Sequence, residues 1–183
     1  LSTNNGTSWT ATGLPNSEVR SLTVSGTNLF AGTYGDGVFL STNNGTSWTA
    51  IGLPNSEVNS LTVSGTNLFA GTEGGVYLST NNGASWTPVN NGLPNPEVLS
   101  LAVSDTNLFA GTYGHGVFLS TNNGESWTEV NNGLTNSRVL SLTVSGTNLF
   151  AGTDGSGICL STNNGASWTA VNNGLMNYEV SSL

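Results

Sequence analysis

"LSTNNGTSWT", residues 1–10, opens the chain and is repeated letter for letter at residues 40–49. Three further copies, at residues 78–87, 119–128 and 160–169, differ from it only at the seventh position. The copies begin 39, 38, 41 and 41 residues apart, a period typical of repeat architectures. The sequence therefore predicts a stack of similar units, each of which buries its apolar faces against its neighbours.

One complete unit spans residues 97–136 and reads EVLSLAVSDTNLFAGTYGHGVFLSTNNGESWTEVNNGLTN. Gly, Asn and Asp divide it into four short runs rich in β-branched and aromatic residues, as is typical of strands bounded by turns. The runs are EVLSLAVS, LFAGTY, VFLST and SWTEV, which we name strands A to D. Since no run has a helical period, we expect four antiparallel strands per unit.

These units predict an all-β fold, a β-propeller of four-stranded antiparallel blades of about 40 residues each, because radial stacking covers both faces of every sheet. The segments of this single domain, residues 1–183, are 1–17 (strands C and D of a shared blade), 18–56, 57–96, 97–137 and 138–178 (whole blades), and 179–183 (strand A of the shared blade). This division favours five blades, the last shared by both termini. A slice of a larger ring, or a homo-oligomer joined through open blade edges, is the alternative.

The repeated stretch has the chemistry of a rigid hairpin. Asn-Gly favours a tight turn because both residues tolerate positive φ, and the side-chain carbonyl of Asn can accept backbone N–H groups. Serine hydroxyls flank the turn, and the tryptophan brings the largest apolar surface of the unit, so each copy is expected to anchor its blade in the core. The structural positions are Ser2, Asn4, Gly6, Trp9, Ser41, Asn43, Gly45, Trp48, Ser79, Asn81, Gly83, Trp86, Ser120, Asn122, Gly124, Trp127, Ser161, Asn163, Gly165 and Trp168.

This pattern resembles the Asp-box, or bacterial neuraminidase repeat, S-x-D-x-G-x-x-W. STNNGTSW matches it at Ser2, Gly6 and Trp9, with Asn4 where the family has Asp. The flanking NLFAGTYGDGVFLSTNNGTSWTA is similar to Asp-box propellers related to sialidases, xyloglucan-cleaving hydrolases and photosystem assembly factors. The resemblance covers the whole chain. It implies a propeller in which the box is a structural element away from any catalytic centre.

The sequence argues against catalysis. The sialidase resemblance implies three arginines for the substrate carboxylate, whereas this chain has only Arg20 and Arg138. Other glycosidases need two carboxyl groups roughly 5–9.5 Å apart. The acids of the B–C loops, with the single histidine beside them, are Asp36, Glu73, Asp154 and His115. Because acids in Gly-rich loops usually serve turns and solubility, we predict no catalytic residue, no metal site and no cofactor. A fragment of a sialidase-type or xyloglucanase-type glycoside hydrolase is the alternative.

The amino-acid composition limits the classes of partner that the protein can bind. Charged residues make up 7% of the chain, the net charge is −8, and Arg20 and Arg138 are its only Lys or Arg residues, so we predict that neither nucleic acid nor a membrane is a partner. No apolar run approaches the roughly 20 residues that span a bilayer. The lone Cys159 takes an apolar strand position and is predicted to be a buried space-filler. The acidic composition, rich in Thr, Asn, Ser and Gly, favours a secreted or cell-surface protein, of bacterial type.

Variation between the units is concentrated in two loops. All length changes fall in the B–C and D–A loops, which emerge on one face of a propeller. Since loops on a rigid scaffold are where sites normally lie, we predict a non-catalytic module that binds protein or carbohydrate there. The candidate residues are Tyr34, Asp36, Glu73, Tyr113, His115, Arg138 and Asp154, with Pro96, Ser156 and Tyr178 nearby. The tyrosines either stack on sugar rings or pack beside the turns. A purely structural array of recently amplified repeats is a further alternative.

Overall fold

The computed structural model describes residues 1–14, 18–94 and 97–183. Within these ranges the chain forms sixteen strands in four antiparallel sheets of four, each sheet in chain order, and no helix that could cross a membrane. The strands are β1 Val19–Ser25, β2 Asn28–Thr33, β3 Val38–Ser41, β4 Thr49–Gly52, β5 Val58–Ser64, β6 Asn67–Thr72, β7 Gly75–Ser79, β8 Thr87–Pro88, β9 Val98–Ser104, β10 Asn107–Thr112, β11 Val117–Ser120, β12 Thr128–Glu129, β13 Val139–Ser145, β14 Asn148–Thr153, β15 Ile158–Ser161 and β16 Thr169–Ala170. Strands β1–β4 form blade 1, β5–β8 form blade 2, β9–β12 form blade 3 and β13–β16 form blade 4. These four sheets confirm the predicted propeller of four-stranded antiparallel blades.

The repeated hairpin joins the third and fourth strands of each blade. In blade 1, Asn44 and Gly45 have φ values of 55° and 79°, in the left-handed region that a tight two-residue turn requires. The Asn43 side-chain carbonyl accepts the backbone N–H of Ser47 at 2.9 Å, and the Ser41 hydroxyl accepts that of Gly45 at 2.8 Å. Equivalent bonds are present in all five copies, so each turn satisfies its own backbone locally.

Phenylalanines of the second strands form the cores between blades. Phe30, Phe69 and Phe109 are each 0% exposed. Each lies in a cluster with valines and leucines of the next blade, so the apolar face of one blade is covered by its neighbour. Cys159 is fully buried in blade 4, which confirms its predicted role, and burial raises the pKa of its thiol.

Blades approach each other closely beside these phenylalanines. A Cβ on Gly32 would lie 2.6 Å from Cγ1 of Val58, and one on Gly111 would lie 2.7 Å from Cγ1 of Val139. Only glycine lets the second strand of one blade lie this near the first strand of the next. A serine hydroxyl of each first strand also accepts the N–H of a leucine in the next. These bonds run from Leu61 to Ser21 at 2.9 Å, Leu101 to Ser60 at 3.0 Å and Leu142 to Ser100 at 2.9 Å.

The tryptophans differ along the array. Trp127 and Trp168 are 5% and 4% exposed, and their indole N–H groups donate to carbonyls of the preceding blade at 2.8 and 2.7 Å. Trp86 is half-buried, and its indole N–H has no partner among the described residues. Trp9 is 75% exposed. The prediction that every copy anchors a blade is therefore wrong for Trp9, because no complete blade precedes it in the described residues.

The two ends of the chain occupy the positions of blade fragments. Leu1 and Thr10 exchange two backbone hydrogen bonds of 2.8 and 2.9 Å, as strands C and D do. Val180 donates its N–H to Thr153 at 3.0 Å, in the place of a strand-A residue beside blade 4. Among the described residues no strand pairing joins residues 1–14 to 179–183, so the shared fifth blade stays a prediction.

Candidate functional site

The B–C and D–A loops lie together at one end of the blades, a surface that we call the loop face. Glycine N–H groups of the B–C loops donate to carbonyls of the D–A loops that lead into the next blade. These bonds run from Gly35 to Ser56 (3.2 Å), from Gly114 to Ser137 (3.1 Å) and from Gly155 to Tyr178 (2.9 Å). The residues that vary between units therefore project from a framework of backbone bonds.

Asparagines of the longer D–A loops brace this framework, and sequence reasoning missed them. The side-chain carbonyl of Asn131 accepts the Val117 N–H at 2.7 Å, while its NH₂ group donates to the His115 carbonyl at 2.8 Å. Asn90 and Asn172 make equivalent bonds in blades 2 and 4. The signal was the sequence NNG, present in the three later D–A loops and absent from TATGLPN and TAIGLPN.

Tyr34 forms the first of two aromatic clusters on the loop face. The guanidinium carbon of Arg20 lies 4.2 Å from its ring centroid, which is a cation–π distance. Arg20 also contacts the Glu18 carboxylate at 3.2 Å and the Glu57 carboxylate at 3.4 Å, and it donates to Asn59 Oδ1 at 2.6 Å. Hydrogen bonding to Glu57 and the charge of that carboxylate raise the pKa of Tyr34 above its ordinary 10.0. The tyrosine is 47% exposed, so one side of its ring is held and the rest meets solvent.

Tyr113 forms the second cluster. The Arg138 guanidinium carbon lies 4.4 Å from its ring centroid, and Arg138 Nη1 lies 2.6 Å from Asp154 Oδ2. Asn136 positions both partners, because its side-chain carbonyl accepts the Arg138 N–H at 2.8 Å and its NH₂ group donates to the Asp154 carbonyl. Tyr113 is 45% exposed. Blades 3 and 4 thus present a tyrosine stacked on an arginine that is itself paired with an acid, similar to the cluster of blades 1 and 2.

The remaining candidates are placed separately. Glu73 accepts the backbone N–H of Glu57 at 2.7 Å, so its carboxylate helps to fix the blade 2 loops. His115 is half-buried, and its backbone N–H is bonded to Thr112 Oγ1 at 3.2 Å. Asp36 is exposed in the B–C loop of blade 1. Ser156 and Tyr178 lie on the same face, whereas Pro96 is outside the described residues.

The structure brings together Tyr113, Arg138 and Asp154, which sequence analysis grouped only by loop. It adds Arg20 to the face, because the side chain of this strand residue turns onto Tyr34. Across residues 1–14, 18–94 and 97–183, no three His, Cys, Asp or Glu side chains are placed to hold a metal ion.

No family model matches the chain, and no curated protein matches it. Solved structures with the same fold are similar to it. The extracellular domain of BT4673 from B. thetaiotaomicron superimposes with a TM-score of 0.75 at 18% identity, over 96% of this chain and 25% of that one. An ancestral GH74 enzyme gives 0.69 at 23% identity, over 88% of this chain and 24% of that one.

YCF48 from Cyanidioschyzon merolae gives a TM-score of 0.68 at 16% identity, over 85% of this chain and 56% of that one. The chain therefore spans about a quarter of the first two proteins and about half of the third. These neighbours are β-propeller proteins, some of them glycoside hydrolases and others not. At such identities the likeness establishes the fold, which is that of a propeller scaffold.

Proposed function

We propose that this chain is a non-catalytic binding module whose loop face takes a neutral carbohydrate. The observation that carries the proposal is the pair of half-exposed tyrosines, each fixed from one side by an arginine at 4.2 or 4.4 Å. A rigid aromatic ring with a free face offers a sugar ring a flat apolar surface at low entropic cost.

The charges around the tyrosines favour a neutral ligand. Arg138 is paired with Asp154 through Nη1, and Arg20 lies between two carboxylates, so the charge of each guanidinium is balanced by at least one acid. A net charge of −8 opposes anionic ligands in general. Hydroxyl groups of a sugar would instead meet carboxylates, which accept hydrogen bonds, and amides and loop backbone, which both donate and accept them.

The experiment is an array of neutral oligosaccharides, followed by calorimetric titration of the best ligand. Replacing both Tyr34 and Tyr113 by Ala should weaken binding at least roughly tenfold, because covering an exposed aromatic face contributes on the order of 1–2 kcal/mol. The two Tyr→Phe variants keep the rings and should bind within about threefold of the parent. Trp9→Ala removes an aromatic that is 75% exposed but lies outside the loop face, and should leave binding unchanged.

Unchanged affinity in the double alanine variant refutes the proposal. Binding only to proteins that carry no glycan would favour the protein ligand over the carbohydrate. Release of a sugar product that Asp36→Asn abolishes would favour the glycoside hydrolase alternative.

Two further assignments belong with this proposal. We infer that the five hairpins are Asp-box hairpins in which Asn replaces Asp, supported by the side-chain carbonyl that accepts a backbone N–H in every copy. We also infer an extracellular location. It is supported by the similarity to an extracellular domain and by the lysine-free, acidic composition.

A further inference from the structure

The tripeptide Asn-Asn-Gly occurs eight times in the chain, in two different kinds of turn. Five copies lie in the repeated hairpins, and three lie in the D–A loops at residues 90–92, 131–133 and 172–174. Asparagine is a thermolabile residue, and glycine after it has no side chain to hinder attack of its main-chain nitrogen on the asparagine amide. The chain therefore places one reactive sequence in two environments.

The hairpin copies hold the glycine nitrogen. The Gly124 N–H donates to the Ser120 hydroxyl at 2.9 Å, and the other four copies have the same bond at 2.8 or 2.9 Å. Gly124 is buried, and Asn123 before it has a left-handed φ of 56°. The nitrogen that would attack is therefore engaged as a donor, and its proton is shielded from the base that must remove it.

The D–A copies leave the glycine nitrogen open to solvent. Residues 131–134 form a tight turn, closed by a 2.9 Å bond from the Leu134 N–H to the Asn131 carbonyl. Asn132 and Gly133 at its tip are both exposed. In the part of the chain that the structure describes, neither the Gly133 N–H nor the Asn132 side chain has a hydrogen-bond partner. The other two D–A copies close in the same way at 3.0 and 2.9 Å, and their glycines are exposed.

The same turns also hold the junctions between blades. The main-chain carbonyl of Asn132 accepts the backbone N–H of Trp168 at 2.8 Å, and that of Asn91 accepts the N–H of Trp127 at 2.9 Å. Both tryptophans are buried. A chemical change at either asparagine therefore acts on a contact between two blades.

We propose that Asn91, Asn132 and Asn173 are sites of spontaneous deamidation, whereas the hairpin asparagines are protected. At Asn132, the Gly133 nitrogen loses its proton and attacks Cγ, the Cγ–Nδ2 bond breaks, and the amide nitrogen leaves as ammonia. Water then opens the cyclic imide at either carbonyl, which gives aspartate or isoaspartate. Both products add a negative charge to the loop face. Isoaspartate also reroutes the main chain through Cβ, which displaces the carbonyl that holds Trp168.

The test incubates the 183-residue chain in mildly alkaline buffer and follows each step by peptide mapping, with electron-transfer fragmentation to separate aspartate from isoaspartate. The three D–A peptides differ in sequence, so each is quantified by itself. The hairpin steps should react at least roughly tenfold more slowly, because a hydrogen bond of typical strength must break before the nitrogen attacks. In urea the turns are lost, and all eight copies should react at similar rates.

Two serine variants test the cause of the protection. Ser120→Ala removes the acceptor of the Gly124 N–H and should raise the rate at Asn123 toward that at Asn132. Ser126→Ala is the matched control in the same hairpin, because the Ser126 hydroxyl is bonded to the Asn122 side chain and not to the glycine. The rate at Asn123 should then stay parental. Circular dichroism checks the fold of both variants.

The two products have different effects on the fold. Chains that carry isoaspartate at position 132 should unfold at a lower urea concentration than the fresh parent, because the Trp168 N–H loses its acceptor. Asn132→Asp has the charge of the other product and an intact main chain, so it should unfold near the parental concentration. These measurements do not involve a ligand and are independent of the proposed function of the loop face.

Four results would overturn the inference. Hairpin and D–A copies could react equally in the folded chain, or Asn132 could stay intact there while it reacts in urea. The difference between the copies could persist in urea, which would make the flanking sequence its cause. The rate at Asn123 could also be parental in Ser120→Ala, which would remove the hydrogen bond as the source of protection.

Discussion

Phe109 and Phe150 allow the energy of one blade–blade core to be measured inside a single molecule. Both lie in the sequence NLFAGT, and both pair with a leucine of the third strand. Phe109 is 0% exposed because blade 4 covers it, whereas Phe150 is half-buried because the described residues form no complete blade against that face of blade 4. Any difference between their alanine variants therefore reports the covering blade rather than the strand.

Phe109→Ala should lower the free energy of unfolding by about 3–5 kcal/mol, the usual loss for a phenylalanine whose removal leaves a cavity in a closed core. Phe150→Ala should lower it by only about 1–2 kcal/mol, because part of the ring is already in water and the site can collapse. Urea unfolding followed by circular dichroism and tryptophan fluorescence measures both. The two signals together also show whether the array unfolds in one step.

Equal losses for the two variants would refute this reasoning. They would mean that the outer face of blade 4 is covered in solution, either by a closed fifth blade or by another chain. The mass of the parent in solution distinguishes these two arrangements.

Other positions test the remaining parts of the fold. Asn122→Ala removes a side-chain acceptor 3.0 Å from a backbone N–H and should destabilise the chain by about 1–2 kcal/mol, while Asn122→Asp keeps the acceptor and should unfold near the parental urea concentration. Gly111→Ala forces a Cβ to within 2.7 Å of a valine and should destabilise by about 1–3 kcal/mol, whereas Gly13→Ala, with open space around it, should change the unfolding midpoint little. The buried thiol of Cys159, with its raised pKa, should resist alkylation at pH 8 until denaturant unfolds the chain, and rapid labelling of the native protein would contradict this. Because hydrogen bonding to Glu57 raises the pKa of Tyr34, its phenolate forms at higher pH than that of an ordinary tyrosine, so Tyr34→Phe should remove a late component of the ultraviolet titration, and Glu57→Gln should move that component to lower pH.

Local signals identified most of the loop face but not its contacts. The difference in length between TEGGV and TYGHGV located the variable loops, and the acids that do not recur in every unit indicated the candidate residues on those loops. The pairing of Arg138 with Tyr113 and Asp154 joins two blades, so no spacing along the chain could predict it. The sequence did not place Arg20 on the loop face, because this residue lies in strand β1 and reaches Tyr34 only through its long side chain.

The sequence alone determined the repeat, the strands and the turns of this protein. These depend on neighbours along the chain: Asn-Gly accepts positive φ in all five copies, and the short apolar runs form strands in each of the four complete blades. The tertiary structure alone decided which copies are buried. Trp9 and Trp168 stand in stretches of ten residues that differ at one position only, yet one is 75% and the other 4% exposed. The reason is that a blade provides only half of each core, and the neighbouring blade must provide the other half.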